Sequence, residues 1–296
     1  MTTLVKTQSP RRRSLGAMLH KNLGKIIAFV FLFMLMIVWI MPLVWSILSS
    51  LKPSMEAKQY LKLKNIIPIT WTLENYTYVF DTATTPILGW MKNSLIVATC
   101  QVLLVLFITS TSAFAYERLH FRGKEAIFWT VFGLSMFPNV VGLVPQFQIM
   151  NTLHWLDKLP SIIFPGVTGV FNIFLIRNFL KGVPRELDEA ASIDGAGPWQ
   201  TYLKIILPSL RPVLTVVALF AFTGAWNDFV WPSIAITNPK NLTLTPGLRV
   251  LQVSEGGHIV RQLAGGVMGM IPTFLIYLMA QKYFLGGLNL GSGIKG

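Results

Sequence analysis

The chain has 296 residues, of which 53% are hydrophobic and only 12% charged. A soluble globular domain carries about 25% charged residues, so the balance points to a membrane protein rather than a water-soluble globule. The 25 Lys and Arg against 12 Asp and Glu give a formal net charge of +13, which suits either nucleic acid or the anionic face of a membrane, and the single cysteine, Cys100, can form neither an internal disulfide nor a metal cluster.

In chain order, a basic tail with Lys6, Arg11, Arg12, Arg13, Lys21 and Lys25 precedes the first long apolar run. A membrane helix needs roughly 20 mostly apolar residues. Residues 26–51, 93–116, 126–156, 159–176 and 262–281 lack Asp, Glu, Lys and Arg, and a further run, 212–236, is interrupted only by Asp228. Six spans are therefore predicted, which puts both termini on one side. The first run is too long for the core of a signal peptide and has no obvious small-residue cleavage site, so it reads as an uncleaved span.

Basic residues set the direction. The N-terminal tail, Arg118, Arg122 and Lys124, then Arg177, Lys181, Arg185, Lys204 and Arg211, and finally Lys282 and Lys295 place sixteen of the 25 on one side. The other side holds nine, Lys52, Lys58, Lys62, Lys64, Lys92, Lys158, Lys240, Arg249 and Arg261. Both termini are thus expected in the cytoplasm. With the charge spread along inner loops and the aromatics in or beside the spans, no nucleic-acid partner is expected, and membrane lipid is. Proline recurs within the spans at Pro42, Pro138, Pro145, Pro165, Pro232 and Pro272. Each frees a carbonyl that neighbours or water must satisfy, either in a bundle or beside a cavity. No internal repeat is visible, which disfavours inverted-repeat carriers.

The connection at 184–208 is the most informative stretch. Pro184 suits a first helical turn, and Glu186, Asp188 and Glu189 follow near the positive helix end. Leu187, Ala190, Ala191 and Asp194 share a small, largely apolar face, Gly195 can end the helix in the left-handed conformation, and Pro198 can begin a second. Trp199, Tyr202, Leu203 and Ile206 give that second helix an aromatic and aliphatic stripe. Two short helices with a sharp turn are predicted. They suit docking into a partner's groove, and they equally suit lying amphipathically on the membrane surface.

Here a family resemblance enters. Glu189-Ala190-Ala191, then Gly195, then Ile205-Ile206-Leu207-Pro208 at these spacings resembles the EAA loop of bacterial ABC importer permeases. Asp188 to Ala196, Trp226-Asn227-Asp228-Phe229-Val230-Trp231-Pro232, Tyr116 with Phe121 to Lys124, and the Gly291 to Gly296 tail resemble the carbohydrate branch, in particular the MalG-like subunits. Arg118, His120 and Ile294 depart from that branch's usual pattern.

The resemblance implies an all-α polytopic protein of the MetI-like permease fold with six transmembrane helices. It implies a cytoplasmic tail at 1–25, a permease domain at 26–285 with a coupling loop at 182–208, and a cytoplasmic tail at 286–296. It implies a sugar, a di- or oligosaccharide, as cargo, with glycerol phosphate or another small polar solute as the alternative. The implied partners are a MalF-like second permease subunit, two ATPase subunits that carry the ATP and Mg, and an extracellular or periplasmic sugar-binding protein. No cofactor is expected on this chain, and the expected location is the bacterial cytoplasmic membrane.

By the same resemblance Glu189, Ala190, Ala191, Asp194, Gly195, Leu207 and Pro208 contact the ATPase, and Gly293, Ile294, Lys295 and Gly296 reach toward it. Ser254, Glu255, Gly256, Gly257 and His258 form the tip of a loop, roughly 237–261, that meets the binding protein. Asp228 is the one carboxylate well inside a span. It lies 17 residues past Arg211, about 25 Å at 1.5 Å per residue, near the outer interface. With Trp226 and Asn227 it is a candidate for the pathway or a gate, and Trp226 and Trp231 are candidates to stack on sugar.

Other classes fit less well. Gly123-Lys124 lacks the rest of a phosphate-binding loop. An ion-coupled carrier acting alone would need intramembrane ionisable pairs. A metalloenzyme would need clustered ligands, and His20, His120, His154 and His258 are scattered.

Overall fold

The computed structural model describes residues 15–54, 67–81, 86–167, 169–254 and 259–290. Every regular element among them is helical: α1 Leu15–Ser50, α2 Glu74–Phe80, α3 Ile87–Arg118, α4 Lys124–Leu134, α5 Leu143–Thr152, α6 Pro160–Ile163, α7 Val170–Lys181, α8 Glu186–Ile193, α9 Pro198–Thr201, α10 Leu207–Ser209, α11 Arg211–Asn227, α12 Val230–Ala235, α13 Leu244–Ser254 and α14 Ile259–Leu290. Three stretches are single helices long and apolar enough to cross a membrane, Leu23–Ser50, Ile87–Arg118 and Ile259–Gln281. Three bent pairs, each counted as one span, bring the number of candidate spans to as many as six. Among the described residues the fold is all-α, with helices that suit a multi-pass membrane protein.

The bends correct the expected straight spans. The run 126–156 is two helical pieces at 92°. The break falls at Pro138, whose extended ψ of 125° ends the turn begun by Ser135; proline has no N–H to donate and disfavours helix in the residue before it. The fourth span bends by 43° and the fifth meets its lead-in at 79°. The fifth also stops early. Asp228 is extended at ψ 127°, and α12 is a separate short helix. Within residues 237–261, expected as a loop, Leu244–Ser254 form helix α13 and Ile259 begins α14.

The centre of the fold is α3. Ser94, Val97, Ala98, Gln101, Val105, Thr109 and Ala113 are buried at helical spacing along one stripe, and the small ones let neighbouring backbones approach closely. The helix packs against α11, α7 and α13. One apolar cluster surrounds its first half, with Trp90, Ile162, Trp226, Trp231 and Leu244. A second surrounds its last half, with Phe114, Ile176, Tyr202, Ile206 and Val217. By contrast α1 is apolar on every side and buries none of its spanning window; it touches α14 at the edge of the bundle.

Gly247 marks the tightest approach in the first cluster. A Cβ there would overlap the Trp90 ring. That ring is 2% exposed and its Nε1 donates to Pro239 O at 2.7 Å. Gly247→Ala therefore has to displace a pinned aromatic, which costs about 1–3 kcal/mol by overpacking. A lower unfolding temperature of the detergent-solubilised protein is expected; an unchanged one would show that the ring moves freely.

Candidate functional site

Two short helices meet at an elbow on the α3 C-terminal side of the bundle. Helix α8 ends in a Schellman motif: Ala196 N–H donates to Ala191 O at 2.9 Å, and Gly195 N–H donates to Ser192 O at 3.1 Å. Gly195 sits at φ +77°, where a side chain would be strained. Pro198 then opens α9, and residues Tyr202–Ile206 wind as a π-helical turn before α10. The expected pair of helices with a glycine turn is thus present, although α8 begins at Glu186, just after Pro184 rather than on it.

The elbow divides its residues between two environments. Tyr202 and Ile206 face inward; the Tyr202 hydroxyl is 2.7 Å from Ser110 Oγ, and its ring lies 5.3 Å from Phe114. Glu189, Ala190, Asp194, Gly195 and Pro208 are exposed, and Leu207 packs partly against the inner cluster. Ala191 is 4% exposed and is covered by its own chain. The supposed stripe of the second helix splits likewise, with Trp199 and Leu203 on the outside. Ile193 is 86% exposed at the tip of α8. The sequence reading missed it, although an isoleucine between Ser192 and Asp194 in an otherwise polar turn was a visible signal.

Beneath the elbow lies a set of alternating charges. Arg177 pairs with Glu117 at 3.1 Å and also with Glu125, and its guanidinium lies 4.5 Å from the Phe128 ring centroid. Glu117 is 3.6 Å from Arg185. Arg118 Nε is 3.0 Å from Asp188 Oδ2, a charge contact without the angle of an aligned hydrogen bond. Arg118 also donates to Val183 O at 2.7 Å and to Leu180 O at 3.3 Å.

The opposite end of the bundle is held by neutral donors and one carboxylate. Asn93 Nδ2 donates to Leu242 O at 3.0 Å, and Leu244 N–H donates to Ser94 Oγ at 2.8 Å. Asp157, in the left-handed region at φ 60°, accepts from Asn238 N–H at 2.8 Å and from the Thr237 hydroxyl at 2.7 Å. Its own carbonyl accepts from Asn241 Nδ2 at 2.7 Å. The Asn238 N–H first, then the Thr237 hydroxyl and N–H, hold the Asp157 carboxyl below its ordinary value.

Between the two ends a cavity of 1050 Å³ opens among α3, the broken third span, α7, α11 and α12. Its polar lining is Gln101, Asn139, Gln146, Asn172 and Asp228, with Phe137, Phe220 and Trp231 among the apolar walls and no Lys, Arg or His among the described lining residues. Asp228 is half-buried, with the N–H groups of Trp231, Phe229 and Val230 facing its carboxylate. Its expected neighbours in the pathway lie elsewhere. Trp226 is 3% exposed, stacks on Phe222 and donates from Nε1 to Gly269 O at 3.0 Å, so it is a packing residue. Asn227 is exposed and donates to Thr223 O at 2.9 Å. Trp231 reaches the cavity wall, but its Nε1 is committed to Ser161 O at 2.7 Å. Ser254 closes α13, whereas Glu255, Gly256, Gly257 and His258, and the tail residues Gly293, Ile294, Lys295 and Gly296, lie outside the described residues. Among the described residues no group of His, Cys, Asp or Glu could hold a metal ion.

Comparison with known proteins gives a consistent picture. The family described as binding-protein-dependent transport system inner membrane component matches residues 14–284. An arabinooligosaccharide transport permease, AraQ of Halalkalibacterium halodurans, is 32% identical over 257 residues, covering 87% of this chain and 91% of that protein. A trehalose/maltose transport permease, MalG of Thermococcus litoralis, is 30% identical over 287 residues, covering 94% and 100%. Among solved structures, a bacterial ABC transporter that imports the acidic polysaccharide alginate aligns with a TM-score of 0.78 at 21% identity, covering 94% of this chain and all of that one. That likeness concerns the fold.

The Asp157 clamp makes a prediction of defined sign. Because the folded value is lowered, its stabilisation is fully present above the unfolded value of about 3.9 and is lost as pH falls through the folded value. Amide protection factors at Thr237 and Asn238 should be flat between pH 5 and 8, since the folded and unfolded values both lie about one unit or more below that range, and should fall only in stronger acid. Asp157→Asn should abolish the acid step. A fall in protection near neutral pH would contradict the clamp.

Proposed function

The chain belongs to the family of binding-protein-dependent transport system inner membrane components, and on that premise we propose that it forms half of the pathway of an importer for an uncharged di- or oligosaccharide. The observation that carries the mechanism is the elbow: a rigid pair of short helices with an exposed, mixed surface, fastened from below to the helices that wall the cavity. ATP is hydrolysed by separate subunits, and this chain converts their closure into movement of its bundle. Glu189, Ala190, Ile193, Asp194 and Gly195 are the docking surface. Ile193 supplies apolar area, and Glu189 and Asp194 suit a basic groove rim.

The cargo reading rests on two supports. The relatives named for arabinooligosaccharides and for trehalose and maltose match most of this chain. The cavity offers side-chain amides that can exchange hydrogen bonds with hydroxyl groups, aromatic walls for apolar sugar faces, and a lone carboxylate without a lining cation. A phosphate or uronate passing this half would meet Asp228 with no countercharge from the lining, which disfavours glycerol phosphate. Asp228 itself caps α12 at the outer end of α11 and gives the wall its negative potential.

The remaining roles follow from the family resemblance. Both termini are cytoplasmic, with 1–25 and 286–296 as tails around a permease domain at 26–285. A MalF-like second permease subunit completes the pathway and covers part of the apolar surface, two ATPase subunits dock below, and a sugar-binding protein docks above at the 254–258 tip. Gly293 to Gly296 reach toward the ATPase.

Burial separates the docking residues sharply. In a Cys100→Ser background, a thiol at position 190 or 193 should crosslink to the partner ATPase, and one at 191 should not. Glu189→Arg should reduce uptake about tenfold or more, the loss expected when a desolvated interfacial charge is reversed, with insertion intact. Crosslinking from 191 but not from 190 or 193 would overturn the docking assignment. In the reconstituted complex, neutral oligosaccharides should stimulate ATP hydrolysis through the binding protein; stimulation by glycerol phosphate instead would overturn the cargo.

A further inference from the structure

The charged set beneath the elbow joins parts of the chain that are far apart in sequence. Glu117 and Arg118 end α3, Glu125 begins α4, Arg177 lies in the last turns of α7, Arg185 precedes α8, and Asp188 is in its first turn. Three cations meet three anions, so the set is neutral. Arg118 and Arg177 have side chains only 5% and 8% exposed, and Glu117 only 12%. Groups buried this far are held by their partners, and any one left alone would be strongly unfavourable.

Arg118 is placed to do more than neutralise. Its planar guanidinium donates to the carbonyl of Leu180 in the last turn of α7, which also accepts from Val183 N–H at 3.1 Å, and to the carbonyl of Val183 in the link that follows. The same group touches Asp188 in α8. Between α7 and α8 lie only Gly182, Val183, Pro184 and Arg185, a non-helical link whose Gly182 carries no side-chain restriction on bending. Arg118 spans that stretch from outside, while Glu117 holds Arg185 from the other side. The helices so joined carry cavity residues: Gln101 and Val105 on α3, and Asn172 on α7.

We propose that Arg118, Glu117 and Asp188 form a transmission joint, in which the charge contacts stiffen the 182–185 link so that displacement of α8 is delivered to α3 and α7 instead of being absorbed as bending. They are positioning residues, since none touches cargo or nucleotide. The proposal rests on the docking role assigned above to the elbow.

The test uses the full complex with its binding protein in liposomes, with sugar uptake and ATP hydrolysis measured on the same samples. Asp188→Asn and Glu117→Gln preserve side-chain shape and remove the charge. In each, sugar moved per ATP should fall at least about fivefold, the lower range of coupling between sites, while stimulated ATP hydrolysis persists; Asp188→Glu should recover most of the ratio. A wild-type ratio in both amide variants overturns the joint. Parallel loss of uptake and hydrolysis without recovery in Asp188→Glu also overturns it, as does failure of both amide variants to assemble, since the cluster would then act in folding alone. A thiol at 193 crosslinked to the ATPase in the same complexes separates the two readings. If it crosslinks while the ratio is unchanged, the joint fails and the docking stands; if it fails to crosslink in the parent complex, the docking itself fails.

Discussion

A carbonyl freed by a broken helix has no water to turn to inside a bilayer, and in this protein side-chain donors take water's place. Trp231 donates to Ser161 O and Gln101 to Ile162 O, both at the bent fourth span. Trp226 donates to Gly269 O in the last helix, and Trp90 donates to Pro239 O. Each donor comes from a different element than its acceptor, so every satisfied carbonyl is also a tertiary link. The bends that open a cavity are therefore the same places where the bundle is tied together. Without those donors, irregular backbone at membrane depth would be prohibitively unfavourable.

The two ends of the bundle solve the same problem with different chemistry. At the α3 N-terminal end the links are amides, hydroxyls and indoles, with Asp157 accepting from the loop after α12. At the other end they are guanidinium–carboxylate pairs. A neutral amide reaches at most two carbonyls, as Asn93 does with Lys240 O and Leu242 O. A guanidinium has five donors in a fixed plane and can bind two carbonyls and a carboxylate together, as Arg118 does. Multi-way joints therefore occur where three helix ends meet, and pairwise clamps occur where two loops meet. The elbow inherits its rigidity from that difference, with Tyr202 and Ser110 providing a second attachment through the π-helical turn.

The cavity owes its shape to the third span. Pro138 turns the chain by 92°, which carries Asn139 and Gln146 toward α3 and α11 instead of leaving them on a lipid-facing rod. Apolar residues of the same span, including Met136, Val140 and Val141, remain exposed. That surface is left uncovered by this chain.

The sequence alone determined the class, because the length and charge of apolar runs are fixed by bilayer thickness and the desolvation of ions. It also determined the elbow, since Gly195, Pro198 and the acidic first turn act over a few residues. It could not say which side of each short helix is covered. Ala191 and Ala190 are chemically alike, and only the folded chain separates the buried one, 4% exposed, from the exposed one. Trp226 and Asp228 are two residues apart, yet one packs against the last helix and the other faces the cavity, because the chain leaves helical geometry between them. The pairing of Arg118 with Asp188 spans 70 residues of sequence and depends on α3 and α7 ending at the same depth, a consequence of tertiary packing that no local pattern encodes.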